Sequence, residues 1–99
     1  MKKIFISQPM NGKTDKEIKE TRKKAIEYAE MLLGEELEPI ESFFETAPIN
    51  AAPLWFLGKS IELLSKADIA YFVKGWDKAR GCKIEHQCAV EYGIDRIED

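Results

Sequence analysis

A glutamate near the start of the last predicted helix is the residue best placed for chemistry. Glu85 follows Gly81 by four positions, so both lie on one face of a helix that we predict from Gly81 to Tyr92. Gly81 permits a tight turn or the close approach of a ligand. The helix dipole favours an ionised carboxylate near this end. Such a carboxylate can attack an anomeric carbon and form a glycosyl–enzyme intermediate; the alternative is an ordinary surface glutamate.

Candidate ligand-binding residues also follow the first predicted strand. Amide and hydroxyl donors beside a helix N-terminus can hold a phosphate or sugar hydroxyls. The segment has neither the P-loop spacing nor G-x-G-x-x-G, and ordinary turns have similar compositions. The residues of this segment are Ser7, Gln8, Pro9, Met10, Asn11 and Gly12.

Three further side chains each have two interpretations. Trp76 could stack on a nucleobase or cover the core. Asp77, in the same loop, could bind a base or a sugar hydroxyl, or simply form the turn. Arg22 lies on the apolar stripe of the first helix, so we expect its guanidinium to pair with a core carboxylate or with a substrate phosphate.

The cysteines and the single histidine do not suggest a metal or redox site. Cys82 and Cys88 would be separated by about 9 Å along one helix, too far for a disulfide. Cys82 and His86 share a helix face but have no further ligands at metal spacing. We therefore predict no metal site, and we interpret His86 as a packing or surface residue.

The elements that must position these residues alternate along the chain. Apolar runs predict strands at 3–7, 37–42, 69–73 and 94–97, separated by three helices. Alternating strands and helices indicate an α/β domain with a four-stranded parallel sheet and right-handed crossovers. Ligands of such sheets bind beyond the carboxyl ends of the strands. This rule predicts a site formed by segments 7–14, 42–50 and 74–85.

Several local signals fix the helix ends. Thr14 and Glu17 form a capping box, and Gly34 and Gly93 are suited to left-handed helix stops. Pro53 fits a first helical turn, and Pro39 fits an edge strand. The apolar stripes predicted to face the core comprise Ile18, Ala25, Ile26, Ala29, Leu32 and Leu33 on the first helix, and Leu54, Leu57, Gly58, Ile61 and Leu64 on the second.

Composition narrows the class of protein. The chain has 99 residues, which predicts one domain over 1–99, and its net charge of −3 argues against a nucleic-acid binder. It has no apolar run of about 20 residues. Free thiols and the absence of a signal peptide favour the cytoplasm. The aromatic residues Phe43, Phe44, Trp55 and Phe56 favour either a core or a homo-oligomer interface.

Three stretches of the chain resemble the nucleoside 2-deoxyribosyltransferase superfamily, especially a compact subgroup common in phages and bacteria. They are KIFISQPMNG, SKADIAYFV and GWDKARGCKIEHQCAVEYG. The resemblance implies a flavodoxin-like three-layer sandwich, no cofactor and a small-molecule nucleoside or nucleotide substrate. It assigns the nucleophile to Glu85 and the helix-opening glycine to Gly81. It assigns the sugar pocket to Ser7, Gln8 and Pro9, and the base or sugar loop to Trp76 and Asp77.

The chain also departs from the transferases of that superfamily. These commonly have an aspartate six residues before the nucleophile, where this sequence has Ala79, and Asp77 is the candidate replacement. The segment from Ser7 to Met10 has no aromatic side chain. Three functions are therefore open: (deoxy)ribosyl transfer, hydrolysis of an N-glycosidic bond, and non-catalytic binding of a nucleotide or nucleotide-derived signal.

Overall fold

A computed structural model describes residues 1–42 and 47–99. Within these ranges strands and helices alternate along the chain, as predicted. A short 3₁₀ turn, Trp76–Lys78, precedes the last helix. The strands are β1 (Lys2–Ser7), β2 (Leu37–Pro39), β3 (Ile69–Phe72) and β4 (Asp95–Glu98), and the helices are α1 (Asp15–Leu33), α2 (Pro53–Leu64) and α3 (Arg80–Glu91).

The sheet is parallel throughout the described residues, in the order β2-β1-β3-β4. This confirms the predicted four-stranded α/β architecture. Pro39 lies on the edge strand β2, where its lack of an N–H group removes no hydrogen bond from the interior of the sheet. β2 is shorter than the predicted 37–42. After Pro39 the chain keeps one more bond to β1, from the Ile40 amide to the Ile4 carbonyl at 2.9 Å, and then leaves the sheet.

Helices cover both faces of the sheet and give a small flavodoxin-like sandwich. Alternate residues of β1 point to opposite faces, which divides the core in two. Ile4 and Ile6 pack with Ala25 and Ala29 of α1. Phe5 lies on the other face with Leu64 of α2 and with residues of β3 and α3, namely Ala70, Phe72 and Ala89.

The helix ends follow the local sequence signals. The Thr14 side chain accepts from the Glu17 amide, and the Glu17 side chain accepts from the Thr14 amide, so the predicted capping box is confirmed. Gly34 and Gly93 each have a φ of 68°, in the left-handed region that glycine tolerates best. Pro53 opens α2, as predicted.

Parts of the predicted helical stripes do not face the core. Leu32 and Leu33 are 53% and 41% exposed, and Leu54 is 76% exposed. α1 has 19 residues and is therefore about 28 Å long. Strands of three to six residues span only about 10–20 Å. The last turn of α1 thus extends past the sheet and has no strand beneath it.

The predicted homo-oligomer interface is only partly within the described residues, since Phe43 and Phe44 lie outside them. Trp55 and Phe56 pack edge to face with ring centroids 5.1 Å apart, and Phe56 remains 38% exposed. The homo-oligomer therefore stays a prediction. Across 1–42 and 47–99, no helix is long and apolar enough to cross a membrane.

The capping box of α1 gives a test of the fold. Thr14→Ala removes the acceptor for the Glu17 amide, so we expect the free energy of unfolding to fall by about 1 kcal/mol in urea titrations. Thr14→Ser keeps a hydroxyl acceptor and should retain most of the stability. Equal stability of the alanine variant and the native protein would contradict this role.

Candidate functional site

A cleft of about 840 Å³ opens at the carboxyl ends of β1 and β3. After β1 the chain crosses to β2 on one side, and after β3 it crosses to β4 on the other. This is the topological switch point at which open α/β sheets bind ligands. The described residues that line the cleft come from the end of β1 and the segment after it, and from Ser42, α2, the loop after β3, and the start of α3.

Glu85 lies in this cleft, on the second turn of α3, and is only 8% exposed. The Ser7 hydroxyl, at the end of β1, donates a hydrogen bond to Glu85 Oε1 at 2.6 Å. Ser60 of α2 lines the same cleft, and its side chain lowers the pKa of the Glu85 carboxyl group. One strand and two helices therefore converge on a single carboxylate.

Burial controls the electrostatics of this carboxylate. It raises the pKa of Glu85 above the ordinary value, and the side chains of Ser7 and Ser60 lower that pKa by less. The sequence predicts an anion favoured by the helix dipole. In the structure the net shift of this pKa is upward, because loss of hydration opposes the charge more strongly than the hydroxyl groups support it.

A buried thiol lies one turn before the glutamate. Cys82 lines the cleft, and burial raises its pKa. The Ser7 hydrogen bond lowers that pKa and the Glu85 charge raises it. A neutral, buried thiol is a poor nucleophile, so Cys82 acts here as a small apolar wall residue. Both cysteines are free, as predicted.

The segment after β1 forms one wall of the cleft. Pro9 supports Gly75 on the loop after β3, since a Cβ built on Gly75 would lie 3.4 Å from Pro9 Cγ. Gly12 is at an exposed turn with a φ of 77° and is outside the lining. The predicted residues that do line the cleft are Ser7, Gln8, Pro9, Met10 and Asn11.

Gln8 offers an unused hydrogen-bond acceptor. Its side chain lines the cleft and the residue is 6% exposed. Gln8 Oε1 is buried and has no hydrogen-bond partner among the described residues. Buried amide oxygens are rarely left unpaired, so this atom is suited to accept from a ligand hydroxyl or amino group.

The tight turn before α3 differs from the prediction. Gly81 lines the cleft, but a Cβ there would lie 4.0 Å from Leu57 Cδ1, an ordinary contact, and its φ is not positive. The left-handed turn falls instead at Gly75, with a φ of 95°. Its positive φ and the nearby Pro9 make Gly75, rather than Gly81, the position where a side chain would be strained.

Trp76 and Asp77 are not brought to the cleft. The Trp76 ring stacks on His86 with centroids 4.0 Å apart and also packs against Phe72. His86 follows Glu85 directly, so it lies about 100° further around α3. The Trp76 ring that stacks on His86 therefore lies outside the lining of the cleft. Asp77 is exposed on the 3₁₀ turn. Trp76 therefore covers the core and Asp77 forms a turn.

Arg22 also forms its contacts away from the cleft. Its guanidinium donates to the Ile40 carbonyl at 2.8 Å and lies 3.9 Å from Glu41, at the end of β2. It does not line the cleft. The predicted partner was a core carboxylate or a substrate phosphate, and the structure corrects this to a backbone carbonyl and an exposed carboxylate.

Sequence reasoning missed two groups of lining residues. One is a face of α2 formed by Pro53, Phe56, Leu57 and Ser60. Their i, i+3, i+4, i+7 spacing is itself the signal of one helical face, and Leu57 was predicted to face the core. The other group is four basic side chains, Lys13, Lys74, Lys78 and Arg80. All four lie in the segments predicted to follow β1 and β3, but none was assigned to the site.

No group of three or more histidine, cysteine, aspartate or glutamate side chains in 1–42 and 47–99 is arranged to hold a metal ion. No protein-family model, curated protein or solved structure matches this chain. The proposals for its function therefore depend on the geometry of the cleft.

The raised pKa of Glu85 predicts that this residue reduces stability at high pH. Because the folded-state pKa of Glu85 exceeds its unfolded value, the reduction in the free energy of unfolding is absent below the ordinary pKa of 4.5. It is complete only above the folded pKa. We expect Glu85→Gln to melt at a higher temperature than the native protein at pH 8. A gain of ~1 kcal/mol would raise Tm by about 4–8 °C.

The difference in Tm should shrink as the pH falls through the folded pKa toward 4.5, and it should vanish below 4.5, where the carboxyl group is protonated in both the folded and the unfolded protein. Glu27→Gln, which removes the same charge from an exposed position on α1, is the matched control. A lower Tm for Glu85→Gln at pH 8 would contradict the assignment of a buried, destabilising carboxylate.

Proposed function

We propose that this protein cleaves the N-glycosidic bond of a nucleoside or nucleotide, or transfers its (deoxy)ribosyl group, through Glu85. The observation that carries the proposal is a buried carboxylate held by a strand-end hydroxyl at 2.6 Å inside the cleft. Burying a carboxylate removes part of its hydration and gives the fold no stability. A buried carboxylate in a cleft therefore favours a chemical role for this residue. This reaction is also the one that the family resemblance implies.

The reaction balances with one carboxylate and water. Glu85 Oε attacks C1′, the C1′–N bond breaks, and the base leaves with the bonding electrons and takes a proton from solvent. Water then attacks C1′ of the glycosyl ester and regenerates the carboxylate, with one proton released. In a transferase, a second base replaces that water. The Ser7 hydroxyl keeps the attacking carboxylate oriented between β1 and α3.

A second candidate, non-catalytic nucleotide binding, is favoured by the lining of the cleft. Within the described residues, Glu85 is the sole carboxylate that lines it. A departing base is helped by a nearby acid, and Asp77 lies outside the lining while Ala79 has no acidic group. A protonated Glu85 could then donate a hydrogen bond to a bound ligand, with no bond broken.

Glu85→Gln separates these two functions. The amide keeps the shape but cannot form a stable glycosyl ester, so base release should fall by about 10³-fold or more. The measurement is chromatographic detection of free base from a panel of nucleosides and nucleotides. Glu27→Gln should retain full activity. Undiminished activity in folded Glu85→Gln would remove the mechanism, and native protein that binds the panel without releasing base would select the binding function.

Ser7→Ala tests whether the Ser7 hydroxyl lowers the pKa of Glu85. The Ser7 hydroxyl lowers the pKa of Glu85, so its removal raises that pKa further. An attacking carboxylate must be ionised, and we therefore expect the acidic limb of the kcat–pH profile to move to higher pH. Ser7→Thr retains a hydroxyl and should keep the limb near its native position. A Ser7→Ala limb that stays unchanged or moves to lower pH would contradict this coupling.

A further inference from the structure

The mouth of the cleft carries a positive charge that opposes the charge of the whole chain. Four basic side chains line it, all exposed at its rim: Lys13, Lys74, Lys78 and Arg80. The chain as a whole has a net charge of −3. Among the described lining residues the one acid is Glu85, which burial drives toward its neutral form. A concave, cationic mouth on an acidic protein favours and attracts an anionic ligand.

Two helices begin at this mouth without a side-chain cap. The residues before α2 and α3 are Ala52 and Ala79, and neither supplies an acceptor. Pro53 and Arg80, the first residues of these helices, line the cleft. The first amides of α3 are therefore available to an anion, whereas at α1 the Thr14 side chain already accepts from the Glu17 amide.

The buried oxygen of Gln8 is an independent sign of a ligand. It lines the same cleft, is nine-tenths buried and has no partner in 1–42 and 47–99. A fully ionised phosphate has no hydrogen to donate to it. The ligand must therefore also carry a hydroxyl or amino group, as a sugar or a nucleobase does.

The positions of these features are compatible with one molecule. Gly81, in the first turn of α3, and Glu85 are separated by about 6 Å along the helix axis. An anion at the start of α3 thus lies about one sugar unit from the carboxylate. The cleft volume of about 840 Å³ is at the large end for small-molecule sites.

We propose that the cleft binds a nucleotide that carries a diphosphate group, with this group at the uncapped start of α3 between Lys78, Arg80 and the other rim cations. One phosphate monoester carries about −1.5 to −2 charges at pH 7, which leaves half of the four cations unbalanced. A second, terminal phosphate brings the charge of the ligand closer to that of the rim. A nucleoside diphosphate supplies this extra charge, whereas a pyrophosphate-linked dinucleotide carries one charge on each phosphate and adds none, so the charge of the rim favours the nucleoside diphosphate. This inference takes the cleft of the proposed function as its site.

The test is calorimetric titration of the full chain carrying Glu85→Gln, which prevents turnover. The probes are adenosine, AMP, ADP, diadenosine diphosphate and inorganic pyrophosphate, with the uridine series as a second base. We expect a diphosphate nucleotide of at least one series to bind about tenfold or more tightly than its monophosphate, and the nucleoside to bind more weakly still. Whichever of the nucleoside diphosphate and the dinucleotide binds more tightly identifies the source of the diphosphate.

Matched variants locate the binding group. Lys78→Ala with Arg80→Ala should weaken diphosphate binding by about tenfold or more and leave nucleoside binding unchanged. Lys23→Ala with Lys24→Ala, on the exposed part of α1, is the charge-matched control. Gln8→Ala should weaken nucleotide binding but not that of inorganic pyrophosphate. Circular dichroism checks the fold, and Lys74→Ala is the second variant if the double variant does not fold.

The proposal is overturned if the monophosphate binds as tightly as the diphosphate in both series, if no nucleotide binds, or if inorganic pyrophosphate binds as tightly as the nucleotides. It is also overturned if the rim variants bind the diphosphate like the control. Because these titrations measure binding without chemistry, a protein that binds the diphosphate but releases no base would refute the enzymatic function alone.

Discussion

The hydrogen bond from Ser7 to Glu85 is the contact on which the site depends. It joins the end of β1 to the second turn of α3 across 78 positions of sequence, and both residues are buried. Such a bond forms only when β1 and β3 pair in register and α3 packs on the correct face of the sheet. The carboxylate is thus held by the whole architecture, and a shift of any one layer would release it into water.

The site combines a buried carboxyl group below with cations above. Burial raises the pKa of Glu85, and the lysines and the arginine at the rim are too exposed to reverse this direction. An anionic ligand that covers the rim would also remove water from the cleft. Binding of such a ligand would therefore be coupled to the ionisation of Glu85, since each changes the hydration on which the other depends.

The fold is largely predictable because its signals are local. The capping box at Thr14, the left-handed glycines at 34 and 93, and the buried run of β3 each act within a few residues. The errors lie where a helix meets its neighbours. Leu32 and Leu33 have the spacing of a core-facing helical stripe, yet they are exposed because the sheet ends before α1 does. Leu57 also fits a core stripe but belongs to the cleft face of α2.

The sequence by itself determined the order of strands and helices and the edge of the sheet at which polar segments meet, because periodicity and capping are properties of short stretches. The tertiary structure alone decided that Trp76 stacks on His86, that Arg22 pairs at the end of β2, and that burial raises the pKa of Glu85. Desolvation and pairing depend on neighbours far away in sequence, and these become neighbours only when the layers pack together.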